Sequence, residues 1–301
     1  MAEQIAGLAV PSHFAVVRPA TVDEAIASKS RHGAMARYWA GGTDMTLLWR
    51  RKQVDLDLCI DLTALDGHRT IDVGDDEIRI GALATLTQLE RSAARHPLLA
   101  MLSGVAKLMC TPQTRTIATV GGNLCNASPA ADLSPCFVAL DANVALASPT
   151  GQRTVLLESF FTGPKNTALA PAEIMTSIGI PLPGKNLAGA YRRVARTVVD
   201  IALVNASASL LLDDARRVRR ARIALGAVGP IILRSPDTEA MLTGLTLEEL
   251  TEPVLAAAGE RSAADARPID DVRASAEYRR HMIAVMVRRA LADCLNRLPR
   301  R

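Results

Sequence analysis

Aromatic side chains are almost missing from this sequence: Phe, Trp and Tyr together make up 3% of its 301 residues. Aliphatics and alanine must therefore pack any core, and a nucleic-acid surface that stacks bases would find few rings to use. Cysteine is sparse too. Cys59, Cys110, Cys125, Cys136 and Cys294 are scattered with no CxxC pair, which argues against a disulfide framework and for free thiols in a cytoplasmic protein. No apolar run approaches the roughly 20 residues of a membrane-spanning helix. The opening MAEQIAGLAV lacks the basic start and full apolar core of a signal peptide. His13, His32, His68, His96 and His281 are dispersed and form no metal-ligand spacing. Two nucleotide fingerprints are also missing. No GxGxxG follows a strand and no GxxxxGK[ST] occurs, so conventional Rossmann and P-loop readings are disfavoured.

What is present is a globular composition, 49% hydrophobic and 22% charged with a net charge of +4, long enough for two or three domains. The one dense basic stretch, DDARRVRRARIALGAVGP, holds Arg216, Arg217, Arg219, Arg220 and Arg222. With no aromatic residue among them and two acidic residues in front, it reads as a solvated hairpin strand or a subunit contact rather than a nucleic-acid site.

Local patterns divide the chain. A helix is expected at Thr21–Ser30, capped by Thr21 with Glu24 three residues on. RYWAGGTD reads as a strand entering a glycine turn, MTLLWRRK as helix and DLDLCIDLT as strand. Ile78 and Ile80 alternate with Glu77 and Arg79, and the following ATLTQLERSAARHPLLAMLSGVAKLM reads as helical. NVALASPTGQRTVLLESF is a hairpin turning at Ser-Pro-Thr-Gly, and IPLPGKN marks a boundary. Ile283, Val287, Leu291, Cys294 and Leu298 fall at helical spacing in the last element, a docked surface helix. Trp39 and Trp49, which flank the first glycine segment, are read as core.

Two segments carry the chemistry. AGGTDM, with Gly41 and Gly42 turning and Thr43 or Asp44 capping the next helix, can converge amides on an anion. Taken alone, it is also the plain strand–helix turn that any α/β unit needs. TVGGNLCNASPAADLSP repeats the double glycine at Gly121 and Gly122 and adds Asn123, Ser128 and Asp132, with large side chains scarce until Phe137. Two such loops could grip a diphosphate from both sides, leaving Asp132 to hold a hydroxyl or amide of the ligand.

AGGTDMTLLWRRK, TPQTRTIATVGGNLCNASPAADLSPCFVALDANV and ALAPAEIMTSIGIP, in that order, resemble the FAD-binding medium subunit of molybdenum hydroxylases, the xanthine dehydrogenase and aerobic carbon monoxide dehydrogenase family. The resemblance spans nearly the whole chain. It implies an α+β protein: a two-subdomain FAD-binding fold related to vanillyl-alcohol oxidase, with expected divisions 1–62 and 63–181, and a C-terminal domain, 182–301, with a small antiparallel sheet. It also implies that Ala40, Gly41, Gly42, Thr43 and Asp44 form the first pyrophosphate loop, and Thr119, Gly121, Gly122 and Asn123 the second. Asp132 would hydrogen-bond the cofactor. Met175 sits where the family often has a flavin-contacting leucine, Arg192 where xanthine dehydrogenases carry a lysine near the cofactor, and Ile201 at the isoalloxazine face.

By the same resemblance this chain is the electron exit of a larger enzyme. The iron–sulfur small subunit and the molybdopterin large subunit would be separate chains, in a dimer of heterotrimers. FAD would pass electrons to NAD, a quinone, a cytochrome or oxygen. The chain lacks the cysteine spacing of a plant-type iron–sulfur cluster, and no residue need act as acid, base or nucleophile on the organic substrate. Cys110, Cys125 and Cys136 read as small buried thiols, since no inserted loop interrupts TVGGNLCNASPAADLSPC as the cluster of a 4-hydroxybenzoyl-CoA reductase-like flavin subunit would require. The alternatives are that reductase type and a self-contained flavin-dependent oxidase or dehydrogenase.

Overall fold

The computed structural model describes residues 14–299; the MAEQIAGLAV stretch and His13 lie outside them. The chain first builds a small parallel sheet from β1 (Ala15–Val17), α1 (Val22–His32), β2 (Ala36–Trp39), α2 (Met45–Arg50) and β3 (Leu58–Asp61), in the order β1-β3-β2. Thr21 caps α1 as expected, accepting from the Glu24 amide at 3.2 Å, while Glu24 Oε2 accepts from the Ala20 amide at 2.8 Å. Ala25, Ile26, Leu58 and Ile60 form the core between helix and sheet.

A second layer follows: β4 (Ile71–Val73), β5 (Glu77–Gly81), α3 (Leu86–Arg91), α4 (Pro97–Leu108), α5 (Pro112–Arg115), α6 (Val120–Cys125), α7 (Leu133–Ala139), β6 (Asn143–Ser148), β7 (Gly151–Leu156), α8 (Leu157–Phe160), β8 (Phe161–Gly163), β9 (Asn166–Thr167) and β10 (Ile174–Pro181). Its antiparallel sheet runs β4-β5-β10-β6-β7. The β6–β7 hairpin closes at Ser148↔Gly151 as its turn residues foretell. Leu157 to Phe160 leave the expected strand for a short helix that buries Leu157 and Phe160. The long helical stretch after β5 is broken where His96, extended, caps α4 and Pro97 takes its first position; proline's missing N–H suits a helix start and ruins a helix interior.

The last part comprises β11 (Leu187–Val194), β12 (Val204–Leu212), β13 (Val218–Gly226), β14 (Leu233–Arg234), α9 (Pro236–Leu242), α10 (Glu252–Asp265) and α11 (Ala276–Arg297), its four strands antiparallel in sequence order. In α11, Ile283, Val287, Leu291 and Cys294 are fully buried on one stripe, each large aliphatic contributing about 1.5–3 kcal/mol by leaving water. Every residue of β12 is buried, because its even positions face α11 and its odd ones face the second layer. Alanine and serine suit that double burial. Ser209 Oγ donates to the Ala139 carbonyl at 2.6 Å, and Asn205 Nδ2 to the Ala131 carbonyl at 3.2 Å.

β11 is the seam. Pleating sends successive side chains to opposite faces. Leu187 and Tyr191 join the core of the second layer, whereas Ala188 and Ala190 join that of the C-terminal part. The basic stretch is not wholly solvated, although Arg217 and Arg219 are exposed. Arg220 and Arg222 pair with Asp141 at 2.9 and 2.7 Å, and Arg234 with Glu158 at 2.6 Å, bolting the C-terminal sheet to the ends of α7 and α8.

Candidate functional site

The two glycine segments share a wall. A Cβ on Gly41 would overlap the Ile117 carbonyl and come within 2.9 Å of Ala118 Cα, so the first turn lies on the chain that leads into α6. Gly42 has φ of 68°, where L side chains are strained, and a Cβ there would overlap the Trp39 indole nitrogen. Trp39 and Trp49 both pack on Phe14, with ring centroids 6.0 and 5.0 Å from it, so the indoles brace the turn. Asp44 starts α2 by backbone position only; its side chain accepts nothing from the helix amides. The Thr46 amide donates to the Gly42 carbonyl at 2.9 Å, and no side chain caps the start of α2.

The second segment corrects one expectation. Gly121 and Gly122 are not a turn but the first turn of α6, after Thr119, whose hydroxyl accepts from the Gly122 amide at 3.1 Å. The Val120 and Gly121 amides donate to the Ala84 and Ala82 carbonyls at 2.9 and 2.8 Å. Most of this segment's amides are thus used by protein, and its glycines serve close approach rather than positive φ. A Cβ on Gly121 would come within 2.7 Å of the Ala82 carbonyl oxygen. Gly122 is exposed, meeting only the Thr119 hydroxyl at 2.7 Å. Beside it, Asn123 Oδ1 is buried without a hydrogen-bond partner. A buried acceptor left unpaired costs about 1–3 kcal/mol, and a bound donor would recover that. An uncapped helix start, a bare exposed glycine and an orphaned buried acceptor make a set that fits a dinucleotide.

Asp132, which starts α7, is buried at the seam. Its Oδ1 accepts from the Tyr191 hydroxyl and its Oδ2 from Arg193 Nη1 at 2.9 Å. Burial pushes its carboxyl above the usual range, against the pull of Arg193. Burial likewise drives the Tyr191 phenol well above its ordinary value, so that hydroxyl stays a donor.

Residues 12–183 match the family described as FAD binding domain in molybdopterin dehydrogenase. The chain belongs to that family. Residues 189–294 match the CO dehydrogenase flavoprotein C-terminal domain. The carbon monoxide dehydrogenase medium chain of Hydrogenophaga pseudoflava is 29% identical over 94% of this chain and 97% of its own. A putative xanthine dehydrogenase FAD-binding subunit of Escherichia coli is 30% identical over 92% and 94%. The solved carbon monoxide dehydrogenase of Hydrogenophaga pseudoflava superposes with a TM-score of 0.90 at 29% identity, over 96% of this chain and all of that one. The resemblance read from the three motifs, and the α+β architecture it implies, are borne out.

For this molybdopterin-dehydrogenase flavoprotein the weaker carry-overs scatter. Met175 is buried in the second-layer core, at a bulge in the β10–β6 pairing. Ile201 stands 52% exposed on the loop between β11 and β12. Arg192 goes the other way: from the even face of β11 it pairs with Asp293 of α11 at 2.6 and 2.9 Å. The arginine that meets Asp132 is its neighbour Arg193. Sequence reading passed over Arg193 and Tyr191; strand pleating at AYRRV separates the two arginines, but nothing local says which face meets the site. Arg192→Ala is expected to leave the FAD content of the purified protein unchanged, measured by absorbance after denaturation. The exposed pair it breaks contributes only about 0–1 kcal/mol; a large flavin loss would restore Arg192 to the site.

All five cysteines are free. Burial pushes the Cys125 and Cys294 thiols up to about 12 and Cys59 up to about 11. Such thiols are poor nucleophiles and metal ligands, since the thiolate is the active form. Among the described residues, no helix is long and apolar enough to cross a membrane and no group of three or more His, Cys, Asp or Glu side chains could hold a metal ion.

Proposed function

We propose that this chain holds FAD noncovalently and serves as the electron-exit subunit of a cytoplasmic molybdenum hydroxylase. The observation that carries the reading is the shared wall of the glycine segments, with Gly41 seated on Ile117 and Ala118 just before α6. Ala40, Gly41, Gly42, Thr43 and Asp44 offer open backbone and the positive end of α2 to a diphosphate. Thr119, Gly121, Gly122 and Asn123 form the opposing side, with the bare Gly122 admitting the phosphates and Asn123 Oδ1 accepting from the cofactor. Asp132 can accept one more hydrogen bond, because each carboxylate oxygen has a second lone pair beyond those taken by Tyr191 and Arg193. Met175 and Ile201 supply apolar contacts to the flavin ring.

Bound FAD supplies the ability to take up two electrons and release them together or singly. The chain's own residues bind, orient and shield it; none acts on the organic substrate, whose pocket belongs to another subunit. The implied partners are an iron–sulfur small subunit, which delivers electrons, and a molybdopterin large subunit, in a dimer of heterotrimers. The external acceptor is NAD, a quinone, a cytochrome or oxygen.

One preparation tests this. The native complex is purified, its subunits are separated, and the absorption spectrum of this chain is recorded beside metal analysis of the whole. Noncovalent FAD in this chain, with molybdenum and iron in its co-purifying partners, is the expected result. A colourless chain that purifies alone would sink it, and substrate oxidation by the isolated chain would favour the self-contained oxidase.

A further inference from the structure

Arg193 is 7% exposed on the odd-numbered face of β11. Its Nη1 donates to Asp132 Oδ2 at 2.9 Å and to the Asp200 carbonyl at 3.4 Å; its Nη2 donates to the Leu108 carbonyl at 3.1 Å and to the Val198 carbonyl. One planar group thus ties together the end of α4, the start of α7 and the loop 195–203 between β11 and β12. That loop is unusual for what it shows to solvent: Val198 is 73% exposed, Val199 56% and Ile201 52%. Ordering an exposed loop costs backbone entropy, and little within its own sequence offsets that cost. The Arg196–Asp200 pair is at the surface, with Arg196 53% exposed, where ion pairs hold weakly. Arg193 draws the Val198 and Asp200 carbonyls inward, while the aliphatic side chains of the same loop face out.

We propose that Arg193 is a positioning residue, a latch that holds loop 195–203 against the flavin half of the chain and so fixes the apolar face offered to the flavin ring. This rests on the function proposed above only in placing the ring beside the loop. The latch calls for arginine. A guanidinium presents several N–H donors in a rigid fork and can serve a carboxylate and three carbonyls at once, whereas an ammonium is a compact point donor. Asp132 also needs the positive charge, because a buried carboxylate without one is heavily penalised.

The test uses the purified complex and three variants: Arg193→Lys, Arg193→Gln and Arg193→Gln combined with Asp132→Asn. Hydrogen exchange is followed by mass spectrometry over 195–203, with β12 as the internal reference, and visible circular dichroism reports the flavin's surroundings. Arg193→Gln is expected to speed loop exchange at least tenfold and to change the flavin dichroism, while exchange in β12 stays at the wild-type rate. Arg193→Lys should keep the Asp132 pair and FAD content, yet leave the loop fast and the dichroism altered. The double variant removes the unpaired buried carboxyl and should keep the loop fast. Wild-type loop exchange in either glutamine variant overturns the proposal, as does a loosened loop with unchanged dichroism, or full rescue by lysine. A wild-type complex without FAD in this chain would instead refute the flavin reading, and the exchange data would still decide whether Arg193 holds the loop.

Discussion

Gly122→Val should empty the chain of FAD while leaving it folded. Gly122 is exposed, and the one contact that a new Cβ makes is with the Thr119 hydroxyl at 2.7 Å, a side chain that can rotate away. Rotation forfeits the cap on the Gly122 amide, worth about 1 kcal/mol. Valine recovers a few tenths of a kcal/mol over glycine in a helix. The net cost to the fold is small. The cost to the ligand is large, because the isopropyl group stands where the diphosphate is proposed to lie. Losing about 1.4 kcal/mol of affinity already weakens binding tenfold, and a steric block should exceed that. The flavin-to-protein ratio after gel filtration is expected to fall at least tenfold. Melting must be compared on flavin-free protein, since a bound ligand raises apparent stability by itself. A variant with full flavin occupancy would remove the α6 segment from the site.

Gly41→Val should fail differently. There the new Cβ overlaps the Ile117 carbonyl and crowds Ala118 Cα at 2.9 Å, so backbone must move rather than a side chain. Overpacking typically costs about 1–3 kcal/mol, occasionally more, and a clash with main chain belongs at the upper end. With an unfolding entropy of about 2.1 cal/mol/K per residue, each kcal/mol is worth about 1.6 °C in a chain of 301 residues, so the flavin-free variant should melt roughly 5 °C below wild type. Flavin should be lost as well, because the two segments can no longer share their wall. Wild-type melting with full occupancy would mean that the packing of the first turn on Ile117 does not matter. The two glycine variants together separate a residue that admits a ligand from one that admits the rest of the protein.

Much of this was legible in the sequence where the signal is short-range. The Thr21–Glu24 cap, the Ser-Pro-Thr-Gly hairpin and the buried stripe of α11 depend on residues within a few positions of one another. The glycine segments were legible as places of close approach, and their order along the chain carried the family. What stayed hidden needed a long-range partner. Nothing near Gly121 says that Ala82 will lie against it, so a helical first turn looked like a loop. Asp132, without a cation nearby in sequence, looked free for a ligand, whereas Arg193 and Tyr191 reach it from a strand about sixty residues on. Arg192 and Arg193 are chemically identical and adjacent; only the seam decides which one turns inward. The basic stretch looked solvated because Asp141, which pairs with Arg220 and Arg222, is distant in the chain.

The two-sidedness of β11 bears on any attempt to recombine this chain with a relative. The Pro181–Gly184 link invites a splice, yet a graft there would deliver Tyr191 and Arg193 made for one neighbour's Asp132 to a foreign one. A cleaner exchange keeps the odd positions of the strand with the recipient and the even ones with the donor. Here the unit of inheritance is alternate side chains along one strand, not a contiguous block of sequence.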